Sequence, residues 1–441
     1  MFRYYLTLGF RNLRRNPALT ALMVLTLAVG IAACMSTLTV LYVMSGDPIP
    51  TKSDRLFVPQ LDIYPATYQP RKGKDDEPDE QMTYKDAVNL LAGGQGVHRA
   101  AMYGIGAGLE SGRKDLPPME VDGLATSADF FAMFDVPFLR GGPWGKAQDD
   151  AKAPVMVLSK GMAEKVFGTI DPVGKRVRMA ETEFQVIGVL DEWKPLPRYY
   201  RLINGNGGSF SGEDQVFIPF ATAVQLEMGN NGNNNCSGDS AAPGWQGWLD
   251  SECTWIQFWF EGKTGADQKV LHDYLDAYTA EQKKLNRMPR PLNNRLRNVR
   301  EWMEFREVVG KDSKLSTWLS FGFLLVCLVN TIGLLLAKFS ARAGEVGVRR
   351  ALGAPRSEIF RQYLTEAAVV GLVGGALGLV LSFGGLWLIA LQSDAMAAVA
   401  KMDWVMLLTT IGLSLLASVI AGLLPTWRAC QVTPALQLKS Q

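Results

Sequence analysis

The sequence predicts an α-helical membrane protein with four transmembrane helices, one followed by three, built around a large α/β extracytoplasmic domain. Three observations predict it. Uncharged hydrophobic runs occupy 16–46, 315–337, 367–393 and 404–427, and a long polar stretch separates the first run from the others. That stretch carries strand-like and helix-like patterns of its own. Basic residues concentrate on the short flanks of the runs. Each run can supply the ~20 apolar residues that cross a bilayer. Mean hydropathy is +0.04, too low for a chain that is all membrane and high for a soluble one. The net charge of +2 gives no overall basic footprint for nucleic acid.

Orientation follows from the flanks. Arg3, Arg11, Arg14 and Arg15 precede the first run. Lys338, Arg342, Arg349, Arg350, Arg356 and Arg361 lie between the second and third, whereas the short loop before the fourth has Lys401 beside Asp394 and Asp403. The positive-inside rule then places both termini and the 339–366 loop in the cytoplasm, with the large domain outside. Ile31-Ala32-Ala33-Cys34 resembles a lipoprotein cleavage box. The apolar run continues to Met44, past where a signal core stops, so an uncleaved anchor is expected.

Residues 1–15 place Phe2, Tyr5, Leu6, Gly9 and Leu13 on one helical face and Arg3, Thr7, Arg11 and Arg14 on the other. This suits an interfacial amphipathic helix; the alternative is a positive flank that only orients. Asn16-Pro17 reads as N-cap and first residue of the spanning helix. The expected layout is therefore an interfacial helix over 1–15, spans over 16–46, 313–338, 367–393 and 404–427, an outer domain over 47–312, a hairpin over 339–366 and a tail over 428–441.

Within the outer domain, Val155-Met156-Val157-Leu158 reads as a buried strand, with Ser159 capping a helix that ends at Gly168. Residues 175–179 and 184–190 read as strands around a polar turn, and 254–260 alternates as a further strand. Residues 266–285 form an amphipathic helix with Val270, Leu271, Tyr274, Leu275 and Tyr278 on its apolar face. The charged, proline-containing segment 67–81 reads as a solvated loop. Cys34 and Cys327 lie in membrane runs and Cys430 on the cytoplasmic side, leaving Cys236 and Cys253 in the outer domain. An oxidising compartment permits a disulfide between them; the alternative is two buried free thiols. Trp245, Trp248, Trp255 and Trp259 are expected to be packing residues, with a partner surface as the alternative.

The chain offers little catalytic chemistry. It has two histidines, His98 and His272, and no Cys/His spacing for a metal. Gly262-Lys263-Thr264 resembles the end of a phosphate loop, but Gln257 stands where the pattern needs glycine. No enzyme activity, bound metal or cofactor is expected of this chain itself. Asp75-Asp76 reads as solubility. The hydrophobic runs hold no Asp, Glu or His, so a proton-coupled transporter is disfavoured. Asn330 is expected to hydrogen-bond between helices. Gly371, Gly374, Gly375 and Gly378 have the spacing that lets helices approach closely, within the bundle or across a dimer.

Between the second and third runs stands Gly344-Glu345-Val346-Gly347-Val348-Arg349-Arg350-Ala351-Leu352-Gly353-Ala354-Pro355-Arg356. A basic helix ending at Gly353 and a second helix starting at Pro355 make a hairpin. Its ordered helix-stop-helix punctuation favours a docking surface over a plain basic loop.

This segment, with the following Ile359-Phe360-Arg361-Gln362-Tyr363-Leu364-Thr365-Glu366-Ala367, resembles the signature of MacB/FtsX-type permeases, the mechanotransmitting class of ABC transporters. The one-plus-three layout, Leu424-Pro425-Thr426-Trp427-Arg428 and Thr433-Pro434-Ala435-Leu436 resemble that family too, with Gln437 where arginine is common. Residues 125–140, 153–167 and 171–177 resemble segments of a MacB-like periplasmic core. The resemblance implies an inner-membrane permease of the MacB-like branch without a fused ATPase. Such a permease couples ATP and Mg on a partner ABC ATPase to work by the outer domain. It implies a dimer with a second copy or a paralogue, and possible contacts with membrane lipid, a periplasmic adaptor and an outer-membrane channel. Glu345, Arg349, Arg350, Leu352, Gly353, Ala354 and Arg361 would form the ATPase-docking hairpin. The outer domain would divide into a porter-like part (48–120 plus 226–312) and an inserted distal part (121–225). Export of a peptide, antibiotic or lipid-linked substrate is the leading implication. Transmembrane signalling to a periplasmic enzyme and lipoprotein release are the alternatives.

Overall fold

A computed structural model of the chain describes residues 16–70, 76–111, 113, 116–203, 209–210, 212–236 and 241–430. The expected interfacial helix, the tail beyond 430 and Asp75 lie outside these residues. The chain divides into two compact units: 46–308, and the two flanking segments together.

Helix α1 (Pro17–Met44) opens the chain with Pro17 at its first position. Asn16 precedes it in N-cap position without a side-chain capping bond, so proline geometry rather than a cap starts this helix.

The α/β unit follows. In chain order it comprises β1 (Leu56–Gln60), α2 (Tyr84–Ala92), β2 (His98–Glu110), β3 (Met119–Thr126), α3 (Phe130–Met133), β4 (Phe138–Gly141), α4 (Lys146–Asp150), β5 (Val155–Leu158) and α5 (Lys160–Phe167). It continues with β6 (Arg176–Met179), β7 (Thr182–Leu190), β8 (Val216–Pro219), α6 (Phe220–Gln225), α7 (Gly244–Leu249), β9 (Gln257–Glu261), α8 (Asp267–Lys284), β10 (Arg295–Asn298) and α9 (Val299–Phe305).

All ten strands join one mixed sheet in the order β10-β1-β9-β2-β3-β8-β5-β7-β4, with β6 pairing β2 and β7. The β3–β8 and β5–β7 pairs are parallel. The division expected at 120/121 falls inside β3, and the sheet runs on through both parts.

Alternation along the strands feeds two cores, one on each face. Phe57, Ala101, Tyr103, Phe258 and Phe260 enter one; Leu56, Val58, Ala100, Met102 and Trp259 enter the other. β9 is therefore buried at every residue, its two alternating sides entering opposite cores. Helix starts are locally encoded. Ser159 Oγ accepts from Met162 N (3.2 Å), and Asn298 with Glu301 makes a capping box. Gly168, at φ +68°, ends α5 in the left-handed conformation. On α8, Leu271 and Leu275 are buried, but Val270 is exposed rather than part of the apolar face.

The described parts of the segment expected as a solvated loop, 67–70 and 76–81, are pinned instead. Arg290 pairs with Asp62 (2.8 Å) and Asp76, Arg297 with Glu77 (2.7 Å), and Arg306 with Glu80. Arg290 also lies over Tyr68, which stacks on Tyr64. Pro78, Asp79 and Gln81 are buried as a result. Asp76, Glu77 and Glu80 serve ion pairing with arginines far along the chain, which local composition does not reveal.

The remaining helices are α10 (Lys311–Ser340), α11 (Ala343–Ala351), α12 (Arg356–Ala390), α13 (Asp394–Val399) and α14 (Trp404–Cys430). Helices α1, α10, α12 and α14 are long and apolar enough to cross a membrane. α12 packs against α1 and α14, and α10 packs against the same two. Hydroxyls add polar ties: Thr37 Oγ1 and Ser320 Oγ are 2.7 Å apart, and Ser36 donates to the Ser382 carbonyl (3.3 Å). Asn330 is exposed on α10 rather than bonded between helices.

Candidate functional site

The hairpin joining α10 to α12 is closed by its own backbone. α11 ends at Ala351, and Gly353 follows at φ +98°, a conformation that costs any other residue strain. Gly353 N–H donates to Arg350 O and Ala354 N–H to Arg349 O, both at 3.1 Å. This is the paired bonding of a Schellman motif, so the tip is a fixed turn. Pro355 caps the start of α12 in extended conformation.

The inner face of the hairpin is apolar. Val346, Ile359 and Tyr363 join Phe339 in the core of the helical bundle, with the Phe339 and Tyr363 rings 4.3 Å apart. The outer face presents Val348 and Leu352, and Leu352 is 82% exposed. Leu352 takes no part in the bundle core and stands on the open side of the turn.

The charges around it are ordered. Arg349 donates to Glu345 (2.8 Å) and Gln362 (3.1 Å), bracing α11 against α12. Glu345, Arg349 and Arg361 are exposed, whereas Arg350 and Ala354 are half-buried. The structure thus brings Glu345, Arg349, Arg350, Leu352, Gly353 and Ala354 to one tip, with Arg361 farther along α12.

The glycines of α12 divide between two neighbours. A side-chain carbon at Gly371 would strike Ser418 of α14, and one at Gly375 would lie 2.6 Å from Ser414 Cβ. Gly374 faces Leu27 and Gly378 faces Ala28 and Ile31, all on α1 and all 3.1 Å from a built Cβ. All four contacts lie within one bundle. In the α/β unit, Cys236 and Cys253 are disulfide-bonded. Trp255 and Trp259 are buried in opposite cores, and Trp245 and Trp248 pack against Trp255.

Two charged clusters escaped the sequence. Lys338 and Glu366 stand just outside the hydrophobic runs, yet both are buried in the bundle and 2.7 Å apart, with Arg342 also on Glu366 (3.3 Å). The basic flank masked Lys338 as an orientation signal. In the α/β unit Asp214 is fully buried against Arg201 and Arg198, and Tyr200 donates to it (2.8 Å). Burial pushes the Asp214 carboxyl up, but the two guanidiniums and the Tyr200 hydroxyl outweigh it and hold it below the usual range.

No cluster of metal-ligating side chains occurs among the described residues. The Gly262-Lys263-Thr264 turn is already filled: Asp267 accepts from the backbone N–H of Lys263 (2.6 Å) and Thr264 (3.1 Å). A carboxylate there opposes a phosphate.

A family model described as MacB-like periplasmic core domain matches residues 20–276, and one described as FtsX-like permease C-terminal matches 318–434. The macrolide export ATP-binding/permease protein MacB of Bdellovibrio bacteriovorus is 24% identical over 300 residues, covering 67% of this chain and 40% of that protein. The pyoverdine export ATP-binding/permease protein PvdT of Pseudomonas aeruginosa is 25% identical over 324 residues, covering 71% and 42%. MacB of Escherichia coli K12 is 24% identical over 391 residues, covering 86% and 52%. The chain spans about half the length of the curated relatives it matches. Among solved structures, the periplasmic region of MacB from Actinobacillus actinomycetemcomitans is similar at 13% identity and a TM-score of 0.36, covering 60% of this chain and 96% of that one. With the two models matched in tandem along it, the chain belongs to the MacB/FtsX family of permeases.

Proposed function

We propose that this chain is the permease subunit of an ABC transporter, coupling ATP hydrolysis on a partner ATPase to work by its periplasmic domain. The observation that carries the proposal is the hairpin tip: an exposed Leu352 on a Schellman-closed turn, rimmed by Glu345, Arg349 and Arg350. The tip is the docking element, and Leu352 with Val348 supplies its apolar anchor. Both termini and the hairpin face the cytoplasm, where ATP and Mg are held by the partner. The chain works as a dimer with a second copy or a paralogue, and no catalytic step occurs on it.

Export of a periplasmic substrate toward an adaptor and an outer-membrane channel is the reading we favour. It is supported by the relatives named for macrolide and pyoverdine export. The test is co-purification from crosslinked native membranes. The wild-type chain is expected to bring down an ATP-binding subunit, and Arg349→Glu with Arg350→Glu is expected to lose it while still inserting. Normal ATPase yield from the double variant would overturn the docking assignment.

A further inference from the structure

Glu366 gathers charges from around the root of the hairpin. Lys338, near the end of α10, places Nζ 2.7 Å from Glu366 Oε1 and 3.5 Å from Thr20 Oγ1 on α1. Arg342 Nη1 lies 3.3 Å from Oε2 and 3.5 Å from Oε1. One carboxylate on α12 therefore meets α10, which also reaches α1, and the link into α11.

The two arms are unequal. In the lysine arm the side chains are 0% and 1% exposed, and both partners belong to long helices. Breaking it would leave a buried charge without its closest partner, the costly way to disturb an ion pair. The arginine arm is longer, its side chain is 12% exposed, and Arg342 Nη2 is buried with no hydrogen bond. Arg342 also sits at a break in the helix, at φ −106° and ψ 10°, between the end of α10 and the start of α11. Releasing Arg342 to solvent leaves Glu366 with its closer buried partner, Lys338. It also lets the unsatisfied nitrogen reach water.

We propose that these groups form a two-armed latch. The Lys338–Glu366 arm stays closed and holds α10 to α12. The Arg342–Glu366 arm opens and closes, setting whether the root of the hairpin is seated against the bundle. In the permease reading, partner docking at the tip drives this arm, so the latch rests on that reading for its cause but not for its existence.

The latch is testable in the full chain alone, in phospholipid nanodiscs, by amide hydrogen exchange. In the wild type, amides of 343–354 are expected to open independently of those flanking Lys338 and Glu366. In Arg342→Gln the hairpin amides are expected to exchange about 10-fold faster, with the flanking span amides unchanged. Arg342→Lys, which keeps the charge, is expected to recover most of the protection. The proposal is overturned if the wild-type hairpin and span ends exchange as one cooperative unit. It is also overturned if Arg342→Gln leaves hairpin exchange at the wild-type rate. Normal ATPase yield from Arg349→Glu with Arg350→Glu, alongside faster hairpin exchange in Arg342→Gln, would sink the docking reading and leave the latch standing.

Discussion

Replacing Gly371 with alanine tests the close approach of α12 and α14. The new Cβ would overlap the Ser418 side chain and lie 2.9 Å from its Cα. A hydroxyl can rotate away, but the Cβ and Cα cannot, so the helices must separate. Overpacking of this kind costs about 1–3 kcal/mol, and alanine's better helix propensity returns about 1 kcal/mol. With backbone in the clash the upper part of that range applies, for a net loss of about 2 kcal/mol. Gly384 is the internal comparison, since a Cβ there meets nothing within 4 Å. Gly384→Ala is expected to be neutral or stabilising by up to about 1 kcal/mol. The assay is reversible unfolding of the full chain in mixed micelles, followed by far-UV circular dichroism. Ser418→Gly in the Gly371→Ala background is expected to recover at least about 1 kcal/mol, as neighbours in direct contact couple. The reasoning is refuted if Gly371→Ala is no less stable than Gly384→Ala, or if Ser418→Gly restores nothing.

Two further predictions concern the α/β unit. Asp214→Ala strands Arg201 and Arg198 in the interior without their shared carboxylate. It is expected to destabilise by about 3–5 kcal/mol, read as a lowered melting temperature by near-UV circular dichroism; an unchanged melt would contradict it. Burial pushes the Asp149 carboxyl up to about 6, while its Oδ2 accepts from Ala128 N (2.9 Å). A raised carboxyl pKa means that the native state holds the extra proton between about 4 and 6, so this group's contribution falls as pH rises through that window. Asp149→Asn keeps the accepting oxygen and is therefore expected to gain on the wild type from pH ~4 to ~6, by at most about 3 kcal/mol, and to level off above. A stability difference that is flat with pH would refute the assignment.

What the sequence made legible was the part governed by local rules. Run lengths located the four long helices, and the Gly353 and Pro355 stops located the hairpin, because a left-handed turn and a missing N–H act within a few residues. Ser159 and Gly168 bounded α5 for the same reason. Long-range pairing was not legible. Asp76, Glu77 and Glu80 read as solvent-facing until Arg290, Arg297 and Arg306, more than two hundred positions away, came into contact with them. Lys338 looked like a topology signal because only the packed bundle shows that its ammonium is buried on Glu366. Asn330 erred the other way: the expected interhelical bond depended on a helix rotation that its residue type does not encode. At the tip, sequence named the residues but not their division of labour, in which Arg349 braces the hairpin and Leu352 stands clear.

The docking role of that tip is best tested by a photoreactive residue at position 352 of the full chain in native membranes. A crosslink from position 352 to an ATP-binding subunit, repeated from 348 and absent from position 404 at the start of α14, is the predicted result. Crosslinks to that subunit from position 404 but not from 352 would contradict the account and place the partner elsewhere on the chain.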